Sequence, residues 1–189
     1  MNKRIVIGAS GASGMPILQA CLRLVRDAEG FSSVLIMTES AKLTWVSETG
    51  LPVEKAEALA DEVFSADEIG AGPASGTWGA SGMLVVPCSM KTLAGIHSGY
   101  AENLLLRAAD VTIKEQRTLV LAVRESPLSP IHLRNMQELS LIPGVHIIPP
   151  MLTYYHRLAD IEEMTYQAAA RLMAPFGIEA PDFRKWEGI

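Results

Sequence analysis

The stretch "VVPCSMKTLAG", residues 85–95, opens as a buried strand and turns abruptly into Pro87, Cys88, Ser89, Lys91 and Thr92 at the head of a helical pattern. An apolar run that ends in hydroxyls, a thiol and an ammonium where a helix begins reads as a strand-to-helix turn. Four further apolar runs flank it: "RIVIG" at 4–8, "SVLIM" at 33–37, "TLVLAV" at 118–123 and "VHII" at 145–148. With "MLVVP" at 83–87, all are rich in Val, Ile and Leu with little alternation, as expected of strands covered on both faces of a parallel sheet.

Helical patterns lie between them. "MPILQACLRLVRDAEG" places Ile17, Leu18, Cys21, Leu22 and Val25 at helical spacing, with Pro16 in the first turn and Gly30 as a stop. The period recurs in "VEKAEALADEVF" at 53–64, in "SGYAENLLLRAADVTIKEQ" at 98–116 and in "ADIEEMTYQAAARLMAPFG" at 159–177. Alternating strands and helices predict an α/β doubly wound parallel sheet. A length of 189 residues fits one domain, 1–189, able to bury a core without disulfides or a structural metal.

Composition narrows the function. Apolar residues make up 49% and charged residues 20%, ordinary globular proportions. A formal net charge of −5 gives no global attraction to nucleic acid or anionic lipid, so any anion must be held locally. No apolar run approaches the roughly 20 residues that span a bilayer, and "MNKR" leads straight into a strand, which predicts a cytoplasmic protein with no membrane association. Cys21 and Cys88 form neither a disulfide framework nor a zinc pattern, and His97, His132, His146 and His156 show no metal-ligand spacing.

The residues just beyond each strand are more informative. "GASGASG" comes after the first, Thr38 and Glu39 after the second, Ser89 to Thr92 after the third, Arg124 and Glu125 after the fourth, and Pro149, Pro150 and "TYYHR" after the fifth. Ligands of open parallel sheets bind beyond the carboxyl ends of the strands, so this rim is expected to hold a phosphorylated ligand. Gly8, Gly11 and Gly14, with Ser10 and Ser13, supply free amides before a helix, an anion-binding arrangement. The loop is not G-x-G-x-x-G, and no Walker loop precedes Lys91 and Thr92, which argues against a dinucleotide and a triphosphate. A tight turn without a ligand is the plain alternative for the glycine loop, as helix capping is for Ser89. Glu48 and Glu125 are candidates for proton transfer, on the expectation that a partly apolar crevice raises a carboxyl pKa; for Glu48 the alternative is a helix-end charge in "WVSETG". Arg107, Lys114, Arg124 and Arg171 are basic candidates, each read singly as a solvated charge, Arg124 less so because it directly follows a buried strand.

"GASGASG", "PCSMKTLAGI", "NLLLRAADVTIKE", "LVLAVRESPLSPIHLRNM", "IIPP" with "YYHR", and "RKW", spread from residue 4 to 186, resemble the flavin prenyltransferases of the UbiX type, most closely the B subunit that accompanies bacterial hydroxyaryl acid decarboxylases. The resemblance implies a three-layer flavodoxin-like or Rossmann-like fold, FMN binding and a homododecamer built from trimers. It implies metal-independent transfer of the dimethylallyl group of dimethylallyl monophosphate to N5 and C6 of reduced FMN, the prenylated FMN passing to a UbiD-type decarboxylase. Carried over motif by motif, Gly11, Ala12, Ser13, Thr38, Ser89, Met90, Lys91, Thr92 and Arg124 would hold FMN, with Ser13 near N5. Lys114, Tyr155 and Arg171 would grip dimethylallyl phosphate, with Arg107 and Arg124 nearby and some groups supplied by neighbouring subunits. Glu48 would serve the first bond formation and Glu125 the proton handling of ring closure. Two rivals share these features: an FMN-dependent decarboxylase of cysteine-ended peptides or phosphopantothenoylcysteine, which typically carries an early catalytic His where this chain has none before His97, and a non-catalytic FMN-binding subunit.

Overall fold

The hydrophobic runs become the strands of one parallel sheet in the computed structural model, which describes residues 2–188; the two ends of the expected 1–189 unit, Met1 and Ile189, lie outside the described residues. In chain order the elements are β1 (Lys3–Ala9), α1 (Met15–Asp27), β2 (Phe31–Met37), α2 (Glu39–Thr49), α3 (Glu54–Glu57), β3 (Glu62–Ser65), β4 (Gly82–Cys88), α4 (Met90–Ser98), α5 (Leu104–Lys114), β5 (Thr118–Val123), α6 (Pro130–Ser140), β6 (Val145–Ile147) and α7 (Ile161–Met173). The sheet order is β3-β2-β1-β4-β5-β6, with every pairing parallel. This is the doubly wound order in which the winding direction reverses between β1 and β4.

Strand side chains alternate between two cores. Ile5, Ile7, Leu35, Met37, Leu84 and Val86 face α1, α2 and α7. Val6, Val34, Ile36, Met83, Val85 and Leu121 face α4, α5 and α6. Burial on both faces explains why the runs carry no polar alternation, and all seven residues of β4 are buried. Each such side chain contributes about 1.5–3 kcal/mol by leaving water.

Two expected helices are interrupted. Over 53–64 only α3 is helical, and Glu62–Ser65 pairs as edge strand β3 in the register Val34↔Glu62 to Met37↔Ser65. The cause is tertiary: Asp61 accepts hydrogen bonds from the backbone N–H (2.7 Å) and hydroxyl (3.0 Å) of buried Ser33, aligning the chain against β2. Over 98–116, Gly99 in the left-handed region ends α4 at φ 67°, and Asn103 caps a new helix by accepting from the Leu106 N–H. Apart from the helix end offered at "WVSETG", the sequence reading draws no helical pattern over 39–49 or 130–140, because α2 buries only Ala41 and Trp45 and α6 only Asn135 and Leu139, too few to make an apolar stripe.

Among the described residues no helix is long and apolar enough to cross a membrane, and no group of three or more His, Cys, Asp or Glu could hold a metal ion.

Candidate functional site

Because β2, β1, β4 and β5 lie side by side and parallel, the segments that leave them emerge on one edge. Gly11 to Ser13 follow β1, Thr38 follows β2, Ser89 follows β4 and Arg124 follows β5. Between β1 and β4 the chain departs to opposite faces, α1 on one side and α4 on the other, which opens a crevice at the reversal point.

Three helices begin there. Thr38 caps α2 by accepting from the Ala41 N–H at 3.2 Å, and Ser89 caps α4 by accepting from the Thr92 N–H at 3.3 Å while donating to the Thr92 hydroxyl at 3.1 Å. Ser89 therefore makes the capping bond that the plain reading expected, and Thr38 makes one that the sequence reading does not assign to it. The beginning of α1 has no cap from its own residue Gly14, whose φ of 134° favours glycine. Its amides are held from a distance: Glu48 Oε2 accepts from Gly14 N at 3.0 Å and Met15 N at 2.8 Å. Gly11 is equally constrained, since a Cβ there would lie 2.5 Å from Ser40 Cβ at the start of α2. A cleft of about 460 Å³ beside these caps is lined by Ser10, Thr38, Ser40, Ser89, Lys91 and Thr92, among others, a volume in the roughly 300–1,000 Å³ range of small-molecule sites.

Glu48 corrects one expectation. Partial burial pushes its carboxyl pKa upward, but hydrogen bonds from Ser13 and from the amides of Gly14 and Met15, with the charge of Arg124, outweigh that and leave it below the ordinary value of 4.5. The group is a carboxylate poised between a helix N-terminus and an arginine, not an acid with a raised pKa. A depressed folded-state pKa contributes stability that is complete above the unfolded value and lost as pH falls through the folded one. Glu48→Gln is thus expected to lower the melting temperature at neutral pH, with the difference from the parent shrinking below pH 4.5; paired melts across pH 3–7 (approximate span) test it, and a pH-independent difference contradicts it.

The other sequence-selected residues divide into groups. Ala12 is half-buried and Ser13 exposed in the glycine loop, while Lys91, Arg124 and Glu125 are exposed on the rim. Arg124 is tied to the β4 turn by its N–H to Cys88 O at 3.1 Å, and Glu125 accepts from the Ser126 N–H at 2.9 Å. Met90 turns its side chain into the core, so only its backbone is offered to a ligand. Tyr155 and Arg171 share a second cleft of about 370 Å³ with Pro149, Pro150 and Trp186, where the Tyr155 and Trp186 rings lie 4.8 Å apart.

Arg107 and Lys114 join neither group within one chain, which leaves room for the expectation that neighbouring subunits supply some of the phosphate-binding groups. Both sit on α5, which starts at the crevice edge with Asn103 and runs toward the opposite end of the sheet; eleven residues span about 16 Å. Arg107 is held by Asp110 and by Ala74 O, and Lys114 pairs with Glu115. Sequence selection missed Ser40 and Asn103 in the first cleft and Trp186 in the second. Ser40, two residues beyond a strand-end threonine, carried a usable signal; Asn103 acts through a helix break that periodicity concealed.

The flavoprotein family profile matches residues 1–172. A probable UbiX-like flavin prenyltransferase of Sedimentibacter hydroxybenzoicus is 46% identical over 185 residues, 98% of this chain and 97% of that protein. A crystal structure of a UbiX protein in complex with FMN and dimethylallyl pyrophosphate matches with a TM-score of 0.96 at 40% identity, covering all of both chains. A dodecameric FMN-dependent UbiX-like decarboxylase from Escherichia coli O157:H7 matches at 0.95 and 42%, covering 98% of this chain and all of the other. With its strand-end loops gathered on one edge and this similarity running through its whole length, the chain belongs to the flavoprotein family and, within it, to the UbiX-like flavin prenyltransferases.

Proposed function

We propose that this protein joins the dimethylallyl group of dimethylallyl monophosphate to reduced FMN, and that the product, prenylated FMN, serves a UbiD-type aromatic acid decarboxylase. The observation that carries the reading is the meeting of Gly11, Thr38, Ser89 and Arg124 on one edge, beside three helix N-termini, in a chain of this family. Amides at helix starts, hydroxyls and a guanidinium suit the phosphate and polar ring edge of FMN. In this reading Gly11, Ala12, Ser13, Thr38, Ser89, Met90, Lys91, Thr92 and Arg124 hold FMN, Met90 through its backbone.

The allylic C–O bond breaks with its electron pair leaving on phosphate, while carbon bonds form to N5 and C6. Hydrogen is lost from N5 and from C6, one proton adds to the alkene and one goes to solvent or phosphate. In this reading Glu48, held as a carboxylate, serves the first bond formation near Ser13 by placing negative charge beside the departing allylic group, and Glu125 handles the proton of ring closure. Arg171, Tyr155, Lys114 and Arg107 stabilise the departing phosphate dianion. The separation of Lys114 and Arg107 from Tyr155 and Arg171 supports a site completed by neighbouring subunits of a homododecamer. The tilted Tyr155 and Trp186 rings offer an electron-rich wall to an allylic cation. Cytoplasmic residence follows from the need for reduced FMN and accords with two buried, unpaired cysteines.

Mass spectrometry of the flavin released after anaerobic incubation with reduced FMN and dimethylallyl monophosphate tests the reading. A flavin heavier by one C5H8 unit is expected. FMN bound and unmodified would instead identify a non-catalytic FMN-binding subunit.

A further inference from the structure

Past Gly8↔Val85 the β1–β4 ladder stops, and the register of β4 against β5 shifts between Val85 and Cys88. One side chain takes over. The hydroxyl of Ser10, a residue only 2% exposed, donates to Pro87 O at 2.9 Å and accepts from Ser89 N at 2.8 Å, while the Ser10 N–H donates to Pro87 O at 3.2 Å. Residues 79 apart are thereby joined where the glycine loop and the "PCSMKT" turn separate toward opposite faces. Ser10 also lines the cleft. The Ser89 amide it holds belongs to the residue that caps α4, and one residue after Ser10 comes Gly11, packed against Ser40 of α2.

We propose that Ser10 is a positioning residue: its buried hydroxyl sets the spacing between the two loops that receive FMN, and so fixes Ser13 relative to Ser89 and Thr92. The proposal rests on the prenyltransferase reading above. Ser10 itself need not touch the flavin. Without the hydroxyl, Pro87 O loses one donor and Ser89 N–H loses its acceptor at a buried seam. Restoring those bonds requires water or a shift of one loop against the other.

The test compares Ser10→Ala, Ser10→Cys and Ser10→Thr with the parent by FMN fluorescence titration, by the visible spectrum of bound flavin, and by prenylation kinetics at saturating FMN. Ser10→Ala and Ser10→Cys are expected to weaken FMN binding by about tenfold, the equivalent of one buried bond lost. Both are also expected to perturb the flavin spectrum and to lower kcat with the KM for dimethylallyl monophosphate nearly unchanged. Ser10→Cys preserves the volume, so the comparison survives an alanine variant that fails to fold. Ser10→Thr, which keeps a hydroxyl, is expected to recover most of both properties. Variants with parental FMN affinity, spectrum and kcat, and only a lower melting temperature, overturn the proposal, as does a threonine variant no better than cysteine. A parent protein that binds no FMN would instead overturn the function reading on which it rests.

Discussion

Arg171→Ala is expected to retain FMN and to lower prenyl transfer at saturating flavin by about 10²–10³-fold, the loss typical of removing one group aimed at developing transition-state charge. Arg171 sits in the last turn of α7 and lines the second cleft with Tyr155, apart from the glycine loop and the caps of α2 and α4. It has no ion-pair partner among the described residues, so its guanidinium is available to a phosphate oxygen pair. Its removal would leave the leaving dianion short of one bidentate donor, while flavin recognition at the reversal point stays intact. Flavin titration and single-turnover kinetics on the same preparation separate the two effects. Loss of FMN with loss of activity would show that the second cleft belongs to flavin binding.

The second large effect is on stability. Trp45→Ala is expected to cost about 3–5 kcal/mol of unfolding free energy, the range for emptying a large aromatic site in a core. Trp45 is fully buried and its Nε1–H donates to Pro52 O at 3.1 Å, which anchors the end of α2 to the following loop. Thr38 stands at one end of this helix and Glu48 near the other, one turn beyond Trp45. Loss of the indole therefore also loosens the carboxylate that holds the α1 amides, so FMN affinity should fall with stability. Trp45→Phe, which keeps most of the volume and loses the hydrogen bond, should cost about 1 kcal/mol and leave flavin binding close to parental. Denaturant unfolding with a parallel FMN titration checks both. Unchanged flavin affinity in a strongly destabilised Trp45→Ala protein would separate α2 packing from the site.

Much of the architecture is written in short segments. Runs such as "TLVLAV" identify buried strands because both faces are covered, and "MPILQACLRLVRD" identifies α1 because its apolar residues share one helical face. Caps such as Ser89 are visible for the same reason: donor and acceptor lie within one turn. Motif similarity then carried the flavin loops and the set of basic residues.

Contacts made across the fold were not visible in that way. Glu48 meets Gly14 and Met15 from 34 and 33 positions away, and the identity of its partners, the Ser13 hydroxyl, two helix-start amides and an arginine, reverses the pKa direction that a partly apolar setting suggests. Asp61 recruits "EVFS" into the sheet edge although its own pattern continues a helix. The division of the basic residues between α5 and the β6–α7 cleft likewise emerged only once the helices were laid on the sheet. Local order in the chain chooses strand or helix through interactions that span a few residues; electrostatic environment and the grouping of distant side chains arise from how those pieces pack, which no short window contains.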